Sequence, residues 1–274
     1  MPNTIGEMRI GDKLIFGKYG VSIEDPSPVV WLKASQNCDF ITESVIDYLC
    51  FDAREYEVSS FSYFGNPNYK LSNIFSFLNS DAEDWYYKTH ENDRPPLARH
   101  VLGCSCGGYS QHAGFLHYFE EYEIASLESI TYDMNGDSIT DRVRLPSRHN
   151  ILVSDHEELL FDVFKKKGVR PHPSESLVIS KGERINLKST RAYAPFWTRD
   201  ARSVSDLDII NRSGVTGRAY ASYANGVRPV CTIKPDIKVM VLDLGGKTYE
   251  IKPFDVGVQD MFTDDELISL LGIA

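Results

Sequence analysis

Lys13-Leu14-Ile15-Phe16-Gly17-Lys18-Tyr19 is a short apolar run, and Pro28-Val29-Val30-Trp31-Leu32 follows it as a second. Both are bounded by Gly, Pro and Asp, the pattern of short strands. Phe40-Ile41-Thr42-Glu43-Ser44-Val45-Ile46 gives a third candidate. The first third of the chain therefore reads as strand-rich, and the question for the fold is what packs against those strands.

Helical periodicity supplies one answer. Leu71, Ile74, Phe75 and Leu78 fall on one helical face, with Asn68 as a plausible N-cap and Ala82 and Trp85 as possible extensions of the stripe. A second helix is marked by a Ser154/Glu157 capping box, a stripe of Leu159, Leu160, Val163 and Phe164, Lys165 to Lys167 in the last turn, and Gly168 as the stop. Phe115, Phe119 and Tyr122 recur at helical spacing in a shorter segment. Asn135-Gly136, between Ser129–Tyr132 and Ser138–Thr140, favours a type I′ hairpin turn. Arg142 to Leu145 would continue the returning strand. Near the end, Ile237–Leu242 and Lys247–Ile251, joined at Gly245-Gly246, read as a hairpin. Thr263 and Glu266 then cap a last short helix, with Phe262 and Leu267 as its hydrophobic staple.

Composition narrows the function classes. The chain has 274 residues, 42% apolar, with 29 Lys and Arg against 39 Asp and Glu and a formal net charge of -10. That supports a packed core and argues against nucleic acid as a partner, since phosphate binding needs clustered cations. No apolar run reaches the roughly 18 residues of a membrane span. Met1 to Lys13 lacks a basic-then-apolar leader pattern, so the five cysteines are expected as reduced thiols of a cytosolic product.

Four constellations carry possible chemistry. Asp133, Asn135, Asp137 and Asp141 stand at positions 1, 3, 5 and 9 of a calcium-loop spacing, but Ser138 and Arg144 occupy positions that need Gly and Glu. The hairpin turn accounts for the same residues. Cys104 and Cys106, with His100, His112 and His117 nearby, offer zinc-type ligands at a spacing that structural zinc sites rarely use. A glycine-bearing loop with two reduced thiols is the plainer reading. No nucleophile elbow, HExxH or phosphate-cradling glycine loop occurs, so no catalytic residue, metal or cofactor is assigned. Finally, Phe196, Trp197, Tyr220 and Tyr223 with Arg199, Arg202, Arg212 and Arg218 combine the residue types that dominate binding surfaces. Of these, Trp197, Arg199, Arg202, Arg218, Tyr220 and Tyr223 are taken as candidate ligand contacts.

The segment order resembles a bacterial and bacteriophage domain of unknown function. The resemblance rests on Phe16-Gly17-Lys18-Tyr19 at the opening, and on Phe196-Trp197-Thr198-Arg199 and Asn225-Gly226-Val227-Arg228-Pro229 at the close. Leu71 to Asn79 and Asp141-Arg142-Val143-Arg144-Leu145-Pro146-Ser147 match phrases between them. It covers about Ile10 to Lys234. Thr198 replaces the usual Leu, Gly20-Val21 replaces an aromatic and basic pair, and His90 to Gly114 looks like an insertion. The resemblance implies a C-type-lectin-like fold shared with formylglycine-generating enzymes, with Arg228 structural. It implies neither of the activities known for that fold here. Cys231 stands alone where a cysteine pair is needed, and His112, His117 and Phe119 miss the iron-binding triad.

The resulting expectation is an α+β fold: a C-type-lectin-like domain over 1–234 with short antiparallel strands, two main helices and long loops. A C-terminal hairpin and helix, 235–274, would extend it as a docking arm. The segment from Asp255 holds five acidic residues and no Lys or Arg. Its apolar face, Phe262, Leu267, Ile268, Leu270 and Leu271, is too short for independent stability and is expected to dock on another subunit. The implied function is a non-enzymatic bacteriophage virion protein (capsid decoration, tail or baseplate), multimeric, assembled in the host cytoplasm, without membrane insertion. The alternative is a binding module for a host-surface glycan or protein, and a third reading, ranked below both, is a metal-dependent enzyme.

Overall fold

The computed structural model describes residues 2–20, 26–55, 62–152, 161–167, 171–174, 177, 193–242 and 247–252. Its strands are, in chain order, β1 (Lys13–Tyr19), β2 (Ser27–Lys33), β3 (Asp39–Thr42), β4 (Asp47–Cys50), β5 (Ile130–Met134), β6 (Asp137–Asp141) and β7 (Val143–Arg144). They continue with β8 (Phe196–Ala201), β9 (Asp206–Ile210), β10 (Thr216–Tyr220), β11 (Ala224–Val227), β12 (Val230–Thr232), β13 (Val239–Val241) and β14 (Thr248–Ile251). The short helices are α1 (Asn73–Leu78), α2 (Glu121–Ser126), α3 (Arg148–Ile151) and α4 (Asp162–Lys167). Three sheets result: seven strands in the order β13-β14-β1-β2-β3-β12-β7, five in the order β10-β9-β8-β11-β4, and the β5-β6 hairpin.

The protein is mainly β, which corrects the α+β expectation and its two main helices. Among the described residues no α-helix exceeds six residues. The reason is local. The stripe from Leu71 is broken because Ser72 caps a new turn, its Oγ accepting from the Phe75 N–H at 3.3 Å. The helix stops at Asn79, whose side chain accepts from the Arg142 and Val143 N–H groups and donates to the Val143 carbonyl. Trp85 is buried but outside any helix. Phe115 lies in a 3₁₀ turn, Phe115–Tyr118, ahead of α2. Of the second expected helix, Ser154, Glu157, Leu159, Leu160 and Gly168 fall outside the described residues, while Val163 and Phe164 are buried on α4. The C-type-lectin-like arrangement built on two main helices falls with them.

Adjacent residues of the central strands serve two different cores. Trp31, Phe40, Leu49, Trp197 and Ile209 belong to one cluster, and their neighbours Leu32, Ile41, Tyr48, Phe196 and Ile210 to the other. Burial on both faces produces continuous apolar runs instead of alternation, which is why Phe-Ile, Tyr-Leu and Phe-Trp pairs recur.

The opening and closing phrases have physical explanations. In β1 one extra residue is inserted between Ile15 and Lys18 relative to β2, a bulge. Gly17 takes φ +67° there, with the Phe119 ring lying where a side chain would project. Its N–H donates to Glu123 Oε1 at 2.8 Å, and the Trp31 indole N–H donates to the Phe16 carbonyl at 2.8 Å. At the close, β11 lies in the five-stranded sheet and β12 in the seven-stranded one, with only Arg228-Pro229 between them. The chain makes the same crossing between β3 and β4. The crossings are tied by Thr42 N–H to the Pro229 carbonyl and Ile46 N–H to the Val227 carbonyl.

The Asn135-Gly136 hairpin forms with a two-residue loop and positive φ at both residues. The C-terminal hairpin also forms, but as part of the main body. β14 pairs in parallel with β1, and Tyr249 and Ile251 join the first core. The division at 234/235 therefore separates strands that share one sheet. Phe262, Leu267, Ile268, Leu270 and Leu271, proposed for docking, lie outside the described residues.

Candidate functional site

β10 is the outer strand of the five-stranded sheet, and its end carries a ribbon of aromatic rings. Tyr220 stacks on Phe64 with centroids 3.9 Å apart and planes 18° apart. Tyr223 follows at 5.6 Å from Tyr220, and Tyr63 stands edge-on to Phe64 at 5.5 Å. The Arg54 guanidinium lies over the Tyr63 ring, 5.1 Å from its centroid, and donates to its hydroxyl at 3.0 Å. Tyr63 is 42% exposed and Tyr223 37%. Phe64 and Tyr220 are half-buried between them, so the four rings form a partly exposed aromatic patch at the sheet edge.

Hydrogen bonds deep in the protein set the ribbon's position. The Phe51 and Asp52 N–H groups donate to the Ala221 carbonyl, and the Ser222 N–H donates to that of Phe64. Asp52 is wholly buried and accepts from the Asn73 and Asn66 N–H groups at 3.0 and 2.8 Å; burial pushes its carboxyl well above the usual range. Asn73 passes the network on to buried Asp93 at 3.1 Å. Gly65, at φ +80°, sits against the Asp52 carbonyl where a Cβ would meet it at 2.7 Å. On the other side, Leu102 N–H donates to the Ser222 carbonyl, and the Gly103 backbone lies against the Tyr223 ring. Cys104 and Cys106 close the next turn as a disulfide. This corrects the reduced-thiol expectation for these two and removes both sulfurs as zinc ligands, while Cys38, Cys50 and Cys231 are free thiols.

A polar cleft of about 360 Å³ opens beside α3 and the β8-β9 connection. Its floor is Asp208, whose side chain is 2% exposed. Arg148 reaches Asp208 Oδ2 at 3.3 Å and Arg202 reaches Oδ1 at 3.3 Å, and both arginine side chains are about half exposed. Asp200 accepts the Arg148 N–H at 2.6 Å, and His149 lines the wall. The strand register sets Arg218 opposite Asp208 and Tyr220 opposite Asp206. Directly paired residues share a face, so Arg218 and Tyr220 rise from the same side of β10.

A family profile, the domain of unknown function DUF6273, matches residues 40–235. The chain belongs to the DUF6273 family. No curated protein matches the chain, and no solved structure does. The DUF6273 match takes in the closing phrase and ends at residue 235, and it begins inside β3, after the Phe16-Gly17-Lys18-Tyr19 phrase.

Within the DUF6273 chain, the six candidate contacts separate. Trp197 is wholly buried, its indole N–H donating to the Leu49 carbonyl at 2.9 Å, and is a core residue that no ligand reaches. Arg199 lies over the Tyr132 ring at 4.2 Å, in the buried group around Asp141. Arg202 lines the cleft, Arg218 is exposed on β10 in register with Asp208 and outside the cleft's lining, and Tyr220 and Tyr223 are on the ribbon. Arg228 is 3% exposed; its Nε–H donates to the Thr42 carbonyl at 2.9 Å between the Phe164 and Phe196 rings, and burial lowers its pKa to about 9. Tyr63, Phe64, Arg54, Arg148 and Asp208 were not foreseen. The only local signal was the Tyr63-Phe64-Gly65 triplet in a region without periodicity.

The calcium and zinc spacings do not assemble sites. Asp141 is buried, accepting from the Tyr132 hydroxyl at 2.6 Å, while Asp137 pairs with Lys70 at 3.9 Å. His117 Nδ1 bonds the Asp81 carbonyl at 2.9 Å. Among the described residues no three His, Cys, Asp or Glu side chains are grouped to hold a metal.

Proposed function

We propose that this chain is a binding module that reads a glycan through the ribbon of Tyr63, Phe64, Tyr220 and Tyr223, acting by contact and without catalysis. The observation that carries the reading is the partly exposed set of rings at the sheet edge, where Phe64 stacks on Tyr220 and Tyr63 and Tyr223 meet that pair edge-on and tilted. The apolar C–H face of a sugar ring packs on an aromatic face, while Arg54 and the tyrosine hydroxyls offer hydrogen bonds to its rim. Rings already held by each other lose little freedom on binding. A glycan array probed with the full chain tests this. Retention of a sugar series, weakened at least about tenfold in Tyr220→Ala and Tyr223→Ala, supports it. An empty array, or retention unchanged by both substitutions, refutes it and favours a protein partner.

A second reading is the virion subunit implied by the family resemblance, contacting other subunits of a bacteriophage particle. Met240 and Leu242, exposed at the outer strand of the seven-stranded sheet, favour it. Because β13 and β14 belong to the main sheet, the useful truncation removes only residues 253–274. Unchanged incorporation into particles would sink this reading, as would a metabolic operon around the gene.

A further inference from the structure

We infer that the ligand of the aromatic ribbon carries an anionic group, a carboxylate or a sulfate, held by Arg54 and Arg99, and is therefore an acidic glycan. The inference rests on the glycan reading of the ribbon and names the class of sugar. Both arginines are fixed in place by neutral acceptors. The Arg54 N–H donates to the His100 carbonyl at 3.0 Å. Its guanidinium donates through Nη1 to the Tyr63 hydroxyl at 3.0 Å and through Nη2 to the Arg99 carbonyl. The Arg99 Nε–H donates to His100 Nε2 at 3.2 Å. That bond needs a lone pair on Nε2, so His100 is neutral and its Nδ1–H donates to the Pro95 carbonyl at 2.9 Å. Burial lowers the His100 pKa, against the pull of the Pro95 bond, and the charges of Arg99, Arg94 and Arg54 lower it further.

Among the described residues neither guanidinium is bonded to a carboxylate, whereas Arg144, Arg148 and Arg202 each are. The carboxylates around the pair are engaged elsewhere. Glu55 meets His90 at 2.6 Å, Asp93 accepts from Asn73 and Thr89, and Asp52 accepts from the Asn66 and Asn73 N–H groups. The pair's charge is therefore oriented without being matched by a bonded anion. Arg99 is exposed and keeps both Nη groups for a ligand. Such a fork recognises carboxylate and sulfate oxygens in bidentate fashion. Arg54 lies over Tyr63, which puts this charge at the end of the ribbon. Arg99 also lines a pocket of about 330 Å³ with Ser110 and Gln111, so the pair joins the ring surface to a concave one.

The test probes the full chain, in about 0.15 M sodium chloride, with an array that sets each uronate-bearing or sulfated glycan beside its neutral parent. The expected result is retention of acidic members about tenfold or more above their parents. Uronates alone would identify a carboxylate, and sulfated sugars alone a sulfate. Arg99→Gln should remove that preference. It leaves the Arg99 carbonyl that orients Arg54, so unchanged ring signals of Tyr63 and Tyr220 in NMR spectra would show the ribbon intact. Arg212→Gln, an exposed arginine in the turn before β10, should change nothing. Acidic sugars that bind no better than their parents, a preference that survives Arg99→Gln, or an equal loss in Arg212→Gln would each overturn the inference and leave the ribbon reading standing. An acidic preference lost in Arg99→Gln but untouched by Tyr220→Ala and Tyr223→Ala would support the arginine pair as an anion site and refute the ribbon. An empty array would overturn both.

Discussion

Replacing Gly17 by Ala tests why the opening phrase carries a glycine. Gly17 holds φ +67°, a left-handed conformation that costs a residue with a Cβ about 1–2 kcal/mol. The Cβ would also stand 2.2 Å from Phe119 Cζ and 2.3 Å from Cε1, so the ring must leave. Phe119 is 6% exposed and meets Phe16 edge-on at 5.2 Å and Phe115 at 5.3 Å. Each such ring pair is worth about 0.5–1.5 kcal/mol. The sum predicts a loss of about 2–5 kcal/mol, read as a lower urea midpoint at unchanged slope. Phe119→Leu removes the clashing ring atoms at its own cost of about 1–3 kcal/mol. In that background Gly17→Ala should cost only the backbone share, about 1–2 kcal/mol. The double-mutant cycle therefore predicts a coupling of about 1–3 kcal/mol. An equal cost of Gly17→Ala in both backgrounds would refute the steric account.

Three further outcomes follow from buried groups. Tyr69→Phe leaves the Leu145 N–H, now bonded to the tyrosine hydroxyl at 3.1 Å, without its partner, at a cost of about 1–3 kcal/mol by urea denaturation. A loss under a few tenths would show that water replaces the bond. Cys104→Ser with Cys106→Ser opens a very short ring, so stability should fall by only about 1–2 kcal/mol. Hydrogen exchange at Leu102, which tethers the β10-β11 turn at Ser222, should rise, and unchanged exchange would show that the disulfide does not brace the ribbon. Burial raises the carboxyl pKa values of Asp52, Glu123 and Asp141 from ordinary values of 3.8, 4.5 and 3.8. Between those values and the raised ones the native state binds more protons than the unfolded chain. Their contribution is therefore fully present below the ordinary values and is lost as pH rises through the raised ones, by at most about 1.4 kcal/mol per pH unit per group. Asp141→Asn should flatten the fall in urea midpoint between mildly acid and neutral pH, and an unaltered slope contradicts the assignment.

The strands were legible where the helices were not, and the cause is visible in particular residues. Leu14, Phe16 and Trp31 sit in runs bounded by turn residues, and such runs demand a sheet whichever face is buried. The spacing of Leu71, Ile74, Phe75 and Leu78 is equally regular, yet the helix there spans only Asn73 to Leu78. Phe77 and Ser76, on its other faces, are buried too, so the stripe was never a boundary between core and solvent. Periodicity reports a helix only when one side faces water. The β1-β14 pairing was hidden for a different reason. It joins residues more than two hundred positions apart in parallel register, and no local pattern announces such a contact.

The candidate site was half legible for a related reason. Tyr220, Tyr223, Arg202 and Arg218 could be named because binding surfaces favour their residue types. Trp197 was named on the same ground and lies in the core, because composition does not distinguish the two faces of a strand. What separates them is the sheet edge. Trp197 is on β8, flanked by β9 and β11, whereas Tyr220 ends β10, which has a neighbour on one side only. Phe64 and Tyr63 reach the ribbon through a loop held by Asp52, a carboxylate whose wholly buried position raises its pKa. A hydrophobic residue at that position would pack without this penalty. Asp52 instead spends both oxygens on the N–H groups of Asn66 and Asn73, the residues that aim the Tyr63-Phe64 loop and start α1. A buried carboxyl bonded in this way favours one loop position, and the position it selects is the one that stacks Phe64 on Tyr220.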